Sequence, residues 1–159
     1  MTRRVLLLVL CLLLGACGND DDAGSVGVPS PEATFPIATA LLDNGDESTL
    51  VTVEVAETAE QQGRGLSGRS SLEDDWGMVF VYFEEQETGL SLEGTTIPLS
   101  VAYFDARGTI VGIADFDPCD DAPCESGDPG AAYLGALAVN QGSFEQWDIA
   151  EGDTIHLTR

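Results

Sequence analysis

Leu50-Val51-Thr52-Val53-Glu54-Val55 alternates apolar and polar side chains at nearly every step. A period of two marks a strand with one wet face, so Val51, Val53 and Val55 face a core and Thr52 and Glu54 face outward. Similar short apolar runs recur along the chain, separated by glycine and proline. Pro36 to Leu42 predicts a first strand, Gly77 to Phe83 a strongly apolar one, and Leu90-Ser91-Leu92 alternates again. Pro98 to Asp105 and Thr109 to Phe116 flank Ala106-Arg107-Gly108, the spacing of a hairpin with glycine at its turn. Ala131 to Val139 predicts a further strand, and Thr154 to Leu157 closes the chain. Helix is minor. It is expected over Glu57 to Leu66, where Thr58 is a plausible N-cap with Gln61 three residues on, and as a turn or short helix over Gly142 to Asp148. About seven short strands at this spacing predict a mostly β fold (α+β with minor short helices), a small single-domain barrel or sandwich. No helix separates each strand pair, which argues against a doubly wound parallel sheet.

The amino terminus follows a different grammar. Arg3 and Arg4 precede an unbroken apolar run from Val5 to Leu14, followed by the small residues Gly15 and Ala16. That order predicts a secretory signal over 1–16. The run falls short of the roughly 20 apolar residues that span a bilayer. Leu14-Gly15-Ala16-Cys17 resembles the lipobox of bacterial lipoproteins, which implies lipidation of Cys17 and its exposure as the first mature residue. Two arginines in the n-region also fit a twin-arginine route, a weak signal. Residues 17–35 read as a lipidated cysteine and a flexible acidic tether rich in Gly, Ser and Pro, with a reach on the order of 25 Å. Residues 36–159 fit one domain.

Charge excludes several partners. The chain carries 28 carboxylates against six cations, for a net charge of −22. All six cations are arginine, and loss of Arg3 and Arg4 would take the mature side-chain charge to about −24. Nucleic-acid affinity needs Lys and Arg to neutralise phosphate, so no nucleic-acid partner is expected. Anionic head groups repel the same surface, which leaves lipid on Cys17 as the membrane attachment. Two acyl chains hold such an anchor stably.

Of four cysteines, Cys11 lies in the signal and Cys17 in the lipobox. Cys119 and Cys124 remain, and a pair in an exported chain most often forms a disulfide. The loop is short, so its entropic gain is about 2 kcal/mol. A redox or metal site is the alternative, but redox motifs favour Cys-x-x-Cys and zinc needs about four ligands.

Several segments together resemble domain of unknown function 192, also called uncharacterised protein family 0127. They are Val53-Glu54-Val55-Ala56, then Arg64-Gly65-Leu66 with Arg69 and Leu72, and Gly77-Met78-Val79-Phe80. Ile97-Pro98-Leu99, Ala102-Tyr103-Phe104-Asp105, Gly108-Thr109-Ile110-Val111, Pro118-Cys119 with Cys124, Ala132-Tyr133 and Gly152-Asp153 follow in the same order. The resemblance runs from about 51 to 157 and implies a small, β-rich, frequently exported domain with no assigned biochemical activity. The family's aromatic-Met-Lys-Asn-Thr run before Ile-Pro-Leu-Asp is altered here. Leu90-Ser91-Leu92-Glu93-Gly94-Thr95 stands in its place, Ser100 replaces the Asp, and Thr95 is what survives. A polar site built from the lost residues would be largely absent from this chain.

Candidate chemistry is sparse. His156, the single histidine, sits between Ile155 and Leu157 and is expected to face solvent. Arg64 and Arg69 are scarce cations, and Arg64 could pair with a strand carboxylate such as Glu54. Their functional version is capture of an anionic sugar or carboxylate by a planar guanidinium. Arg64, Arg69, Glu54 and Thr95 are therefore the candidate ligand-binding residues. Asp115, Asp117, Asp120 and Asp121 are weak calcium candidates, because calcium takes roughly six to eight oxygen ligands and acidic loops supply them. A solvated acidic loop is the simpler reading, so no cofactor is required. Two functions compete. One is a non-catalytic binding or structural module of the cell envelope, bound to a polymer or protein there. The other is a hydrolase of envelope polysaccharide or peptidoglycan acting through a carboxylate pair.

Overall fold

The computed structural model describes residues 34–119, 123–124 and 126–158. The expected signal, Cys17 and most of the expected tether lie outside the described residues, as do Asp120 and Asp121. Among the described residues, no helix is long and apolar enough to cross a membrane.

Seven strands and two short helices follow one another as β1 (Ile37–Asp43), β2 (Ser48–Ala56), α1 (Ala59–Arg64), β3 (Trp76–Gln86), β4 (Leu99–Phe104), β5 (Ile110–Phe116), β6 (Tyr133–Asn140), α2 (Ser143–Gln146) and β7 (Thr154–Thr158). They form one sheet in the order β5-β4-β6-β3-β2-β1-β7. Only β2 and β3 run parallel, and α1 lies on the crossover between them. Each remaining neighbouring pair is antiparallel. The mostly β expectation holds, and the sheet is a curled half-barrel.

Its curl brings the two edge strands together at one corner. Thr109 and Thr154 form an antiparallel bridge. Ile155 N donates to Gly108 O at 2.7 Å, and Ile110 N donates to Asp153 O at 2.8 Å. Gly108 has φ +84°, and a Cβ there would sit 2.3 Å from Ile155 O, so only glycine permits the contact. The hairpin that carries Gly108 is held by Asp105, whose Oδ1 accepts from Arg107 N at 2.8 Å and Thr109 N at 2.9 Å. Pairing the edges removes part of the open ladder that would otherwise invite another chain.

Alternation decides the inner core. Val51, Val53 and Val55 are buried with Ala40, Leu42, Val79, Leu137, Val139 and Ile155, and Phe144 and Ile149 plug the curl. Thr52 and Glu54 are half-buried on the other face. A second core covers the outer face of β3, β6 and β4. There Met78, Phe80, Val101, Tyr103, Ala136 and Ala138 pack under Leu66, Leu90, Leu92 and Ile97. Every residue of β4 is therefore buried, which is why its sequence is apolar at successive positions.

The segment expected to alternate as a strand at Leu90-Ser91-Leu92 forms none. Its alternation is real in burial: Leu90 and Leu92 are buried and Ser91 is exposed. The leucines peg an irregular strap onto the sheet instead of joining a ladder. α1 carries the expected capping box, with Gln61 N donating to Thr58 Oγ1 at 3.2 Å and Thr58 N to Gln61 Oε1 at 3.0 Å. Thr34 and Phe35, just ahead of Pro36, also touch the fold. Gln61 Nε2 donates to Thr34 O at 2.8 Å, and Phe35 packs against the outer core.

Candidate functional site

The 88–95 strap and the end of α1 form two walls of one cleft. Its volume is about 510 Å³, within the range of small-ligand sites. Gln62, Arg64 and Ser67 line one wall, Ser91, Glu93 and Thr95 the other, and Phe80, Tyr82 and Tyr133 the floor. The spacing of β3 explains the floor, since residues two apart share a face and Phe80 and Tyr82 point the same way. Tyr133, at the start of β6, reaches the same face opposite Gln86.

All three tyrosines of the chain meet beneath the strap. The Tyr103 and Tyr133 rings lie 4.8 Å apart, and Tyr82 meets Tyr133 edge-on at 5.8 Å. Tyr133 Oη donates to Thr88 O at 2.7 Å, and Leu90 N donates to Tyr103 Oη at 3.3 Å. The phenols thus grip the strap from below. Burial, with Tyr103 adding to it, pushes the Tyr82 phenol up to about 12. Burial also raises Tyr133, helped by Tyr82 and Tyr103. Tyr103 is raised by burial against the hydrogen bond from Leu90. The floor stays neutral at any physiological pH, adding no charge to an acidic molecule.

A second concavity of about 460 Å³ adjoins the first and shares Arg64, Gly65 and Ser67 with it. Arg69 and Glu54 line it, and Arg69 is ion-paired with Glu54. Glu54 thus pairs with Arg69, one of the two arginines singled out from the sequence. Of the four residues nominated from sequence, Arg64 and Thr95 line the larger cleft, and Arg64, Arg69 and Glu54 line the smaller. Thr95 is buried, and its backbone forms a bridge with Cys119.

Cys119 and Cys124 form a disulfide with Cα atoms 5.8 Å apart. Asp115 and Asp117 are exposed at the end of β5, and Asp115 accepts a hydrogen bond from Ser100. Among the described residues, no group of three or more His, Cys, Asp or Glu side chains is placed to hold a metal. His156 is exposed between buried Ile155 and half-buried Leu157, as its alternation requires.

Sequence reasoning overlooked the aromatic floor. Phe80, Tyr82 and Tyr133 look like ordinary core residues until the strap is placed over them. The available signal was the i, i+2 spacing of Phe80 and Tyr82, which puts two rings on one face.

The sequence profile of the DUF192 family, described as uncharacterized ACR, matches residues 40–157. No curated protein matches the chain. A solved structure from Sinorhizobium meliloti 1021, described as a candidate transcription regulator, superposes with a TM-score of 0.72 at 22% identity, covering 79% of this chain and 97% of that one. A protein of unknown function from Novosphingobium aromaticivorans DSM 12444 superposes with a TM-score of 0.66 at 24% identity, covering 80% and 94%. At these identities the likeness is one of fold. The profile match spans most of the chain, which belongs to the domain of unknown function 192 family.

Proposed function

We propose that this chain is a lipid-anchored, extracytoplasmic member of its family that acts as a non-catalytic binding module for an envelope glycan. Its cleft is the observation that carries the reading. A sugar ring presents an apolar C–H face that packs on an aromatic side chain, and hydroxyls that need planar hydrogen-bonding neighbours. Tyr82 is half-exposed at the floor, and the Gln62 amide and Arg64 guanidinium line the wall beside it. A hydrolase would need two carboxylates facing each other across the cleft. Glu93 is the only carboxylate among the described residues that line this one. The lipobox at Cys17 supports the anchor, and the acidic surface leaves the lipid as the sole membrane attachment.

The reading is tested with the mature lipoprotein in detergent and purified cell-wall glycan. The protein is expected to sediment with the glycan. Tyr82→Ala and Arg64→Ala should each weaken retention about tenfold, the loss of one good contact. A protein that stays in the supernatant rejects the ligand. A Cys17→Ser chain that remains in the membrane fraction rejects the anchor.

A further inference from the structure

The cleft does not end at its own walls. The second concavity, of about 460 Å³, shares Arg64, Gly65 and Ser67 with it. A third, of about 400 Å³, shares Gln62, Tyr82 and Gln86 with it. The two outer lobes have no lining residue in common, so the cleft lies between them. Both are more open to solvent than the cleft. α1 runs alongside all three, with Ala59 lining the third lobe, Gln62 the cleft and Arg64 the second lobe. Three lobes thus make one groove, open at both ends.

The third lobe exists because β3 outruns β2. Their parallel register ends at Ala56 and Phe80, while β3 continues to Gln86. α1 takes the place beside β3 that β2 leaves, and Gln62 Nε2 donates to Val81 O at 2.8 Å. Successive strand residues point to opposite faces, so this lobe straddles the edge of β3, with Tyr82 on one side and Phe83 on the other. Phe83 is 88% exposed and belongs to neither core. A single exposed ring means little by itself. Its place does mean something: a chain leaving the cleft over Tyr82 meets Phe83 next.

The lining suits sugar rings. Tyr82 and Phe83 offer flat apolar faces, and the Gln62 and Gln86 side chains stand beside them for hydroxyls. The groove is not a cationic track, because Arg69 is matched by Glu54, and Glu93 and Glu84 line the other two lobes. Nor is it built for an added peptide strand, which pairs with open backbone groups. At this edge the Val81 carbonyl is taken by Gln62, and the Glu84 carbonyl by Gln86 Nε2 at 2.9 Å.

We infer that the three lobes bind the interior of one glycan strand, running from the Arg69 lobe through the cleft to Phe83. Each lobe has the volume of a small-ligand site, so the groove takes about three sugar units or more. Phe83 is the outermost stacking platform. Open ends let the strand run out on both sides, so no chain terminus is needed for recognition. This role rests on the glycan proposed above as the ligand of the cleft.

Isothermal calorimetry on the mature lipoprotein in detergent tests it, with a disaccharide, a tetrasaccharide and an octasaccharide cut from purified cell-wall glycan. The tetrasaccharide is expected to bind at least about tenfold tighter than the disaccharide, because it reaches the outer lobes. The octasaccharide should gain little more. Phe83→Ala should weaken the tetrasaccharide about fivefold and leave the disaccharide unchanged. Its side chain is exposed, so the variant keeps the wild-type unfolding midpoint. Arg69→Lys, at the other end, keeps a cation beside Glu54, loses the planar fork, and should act in the same direction. A disaccharide that binds as tightly as the tetrasaccharide overturns the groove and leaves the glycan proposal standing. Tetrasaccharide binding unchanged in both variants overturns it as well, since the longer chain would then lie elsewhere. Sedimentation with the intact glycan but no binding of the octasaccharide also rejects the groove alone. Failure to bind glycan of any length rejects both.

Discussion

Tyr133 Oη donates a 2.7 Å hydrogen bond to the carbonyl of Thr88, a residue 45 positions earlier in the chain. The bond fastens the start of the strap to the first residue of β6. Tyr133→Phe deletes the donor, keeps the ring against Tyr82 and Tyr103, and leaves the Thr88 carbonyl short of a partner. A cost of about 1 kcal/mol is expected in urea unfolding, typical of one such bond. An unchanged midpoint would mean that water replaces the phenol at no cost.

Alkaline pH should weaken the same region. The Tyr82 phenol is pushed up to about 12 by burial, against an ordinary value of 10.0. Between those values the unfolded chain loses the proton before the folded one does, so unfolding is favoured as pH rises. The Tyr82 contribution to stability is expected to be level below pH 10 and to fall from there towards about 12. Ultraviolet titration of phenolate absorbance checks the late ionisation, and Tyr82→Phe should lessen the fall, the remainder coming from Tyr133 and Tyr103. A tyrosine signal that titrates fully near 10 would contradict it.

The strands were legible because their periodicity is local. Val51, Val53 and Val55 alternate with Thr52 and Glu54, and burial follows that alternation. Strand order was not legible. Nothing in β3 states that it lies parallel to β2 on one side and antiparallel to β6 on the other. The same limit hid the cleft. Arg64 and Arg69 stood out because cations are rare, but Phe80, Tyr82 and Tyr133 resemble core. Their second role depends on where the Leu90 and Leu92 pegs seat the strap, a tertiary fact.

Arg69 and Glu54 form an ion pair whose side chains are 30% and 17% exposed. Such a pair lies between the surface and buried limits, so Arg69→Ala is expected to cost about 2 kcal/mol by leaving a carboxylate on a half-buried strand face. Glu54→Gln should cost less, because a neutral amide tolerates that position. The double variant should recover part of the Arg69→Ala loss. Equal losses for the single and double variants, measured by thermal unfolding, would show that the arginine acts by packing alone.

Ser100 stands where the family resemblance implies an aspartate, and its surroundings suit a hydroxyl. The side chain is buried, accepts from Gly142 N at 2.9 Å, and donates to Asp115 on the neighbouring strand. Ser100 and Asp115 are direct cross-strand partners, so the pair keeps one carboxylate between two positions. Restoring the family residue by Ser100→Asp sets two carboxylates against each other and loses the hydroxyl donor. A destabilisation of about 3 kcal/mol is expected, as for an uncompensated buried charge. Adding Asp115→Ser should return most of it, because the hydroxyl and carboxylate then trade strands. Chemical denaturation of the two single variants and the double variant measures the coupling. Strict additivity would show that Ser100 and Asp115 do not share a charge site.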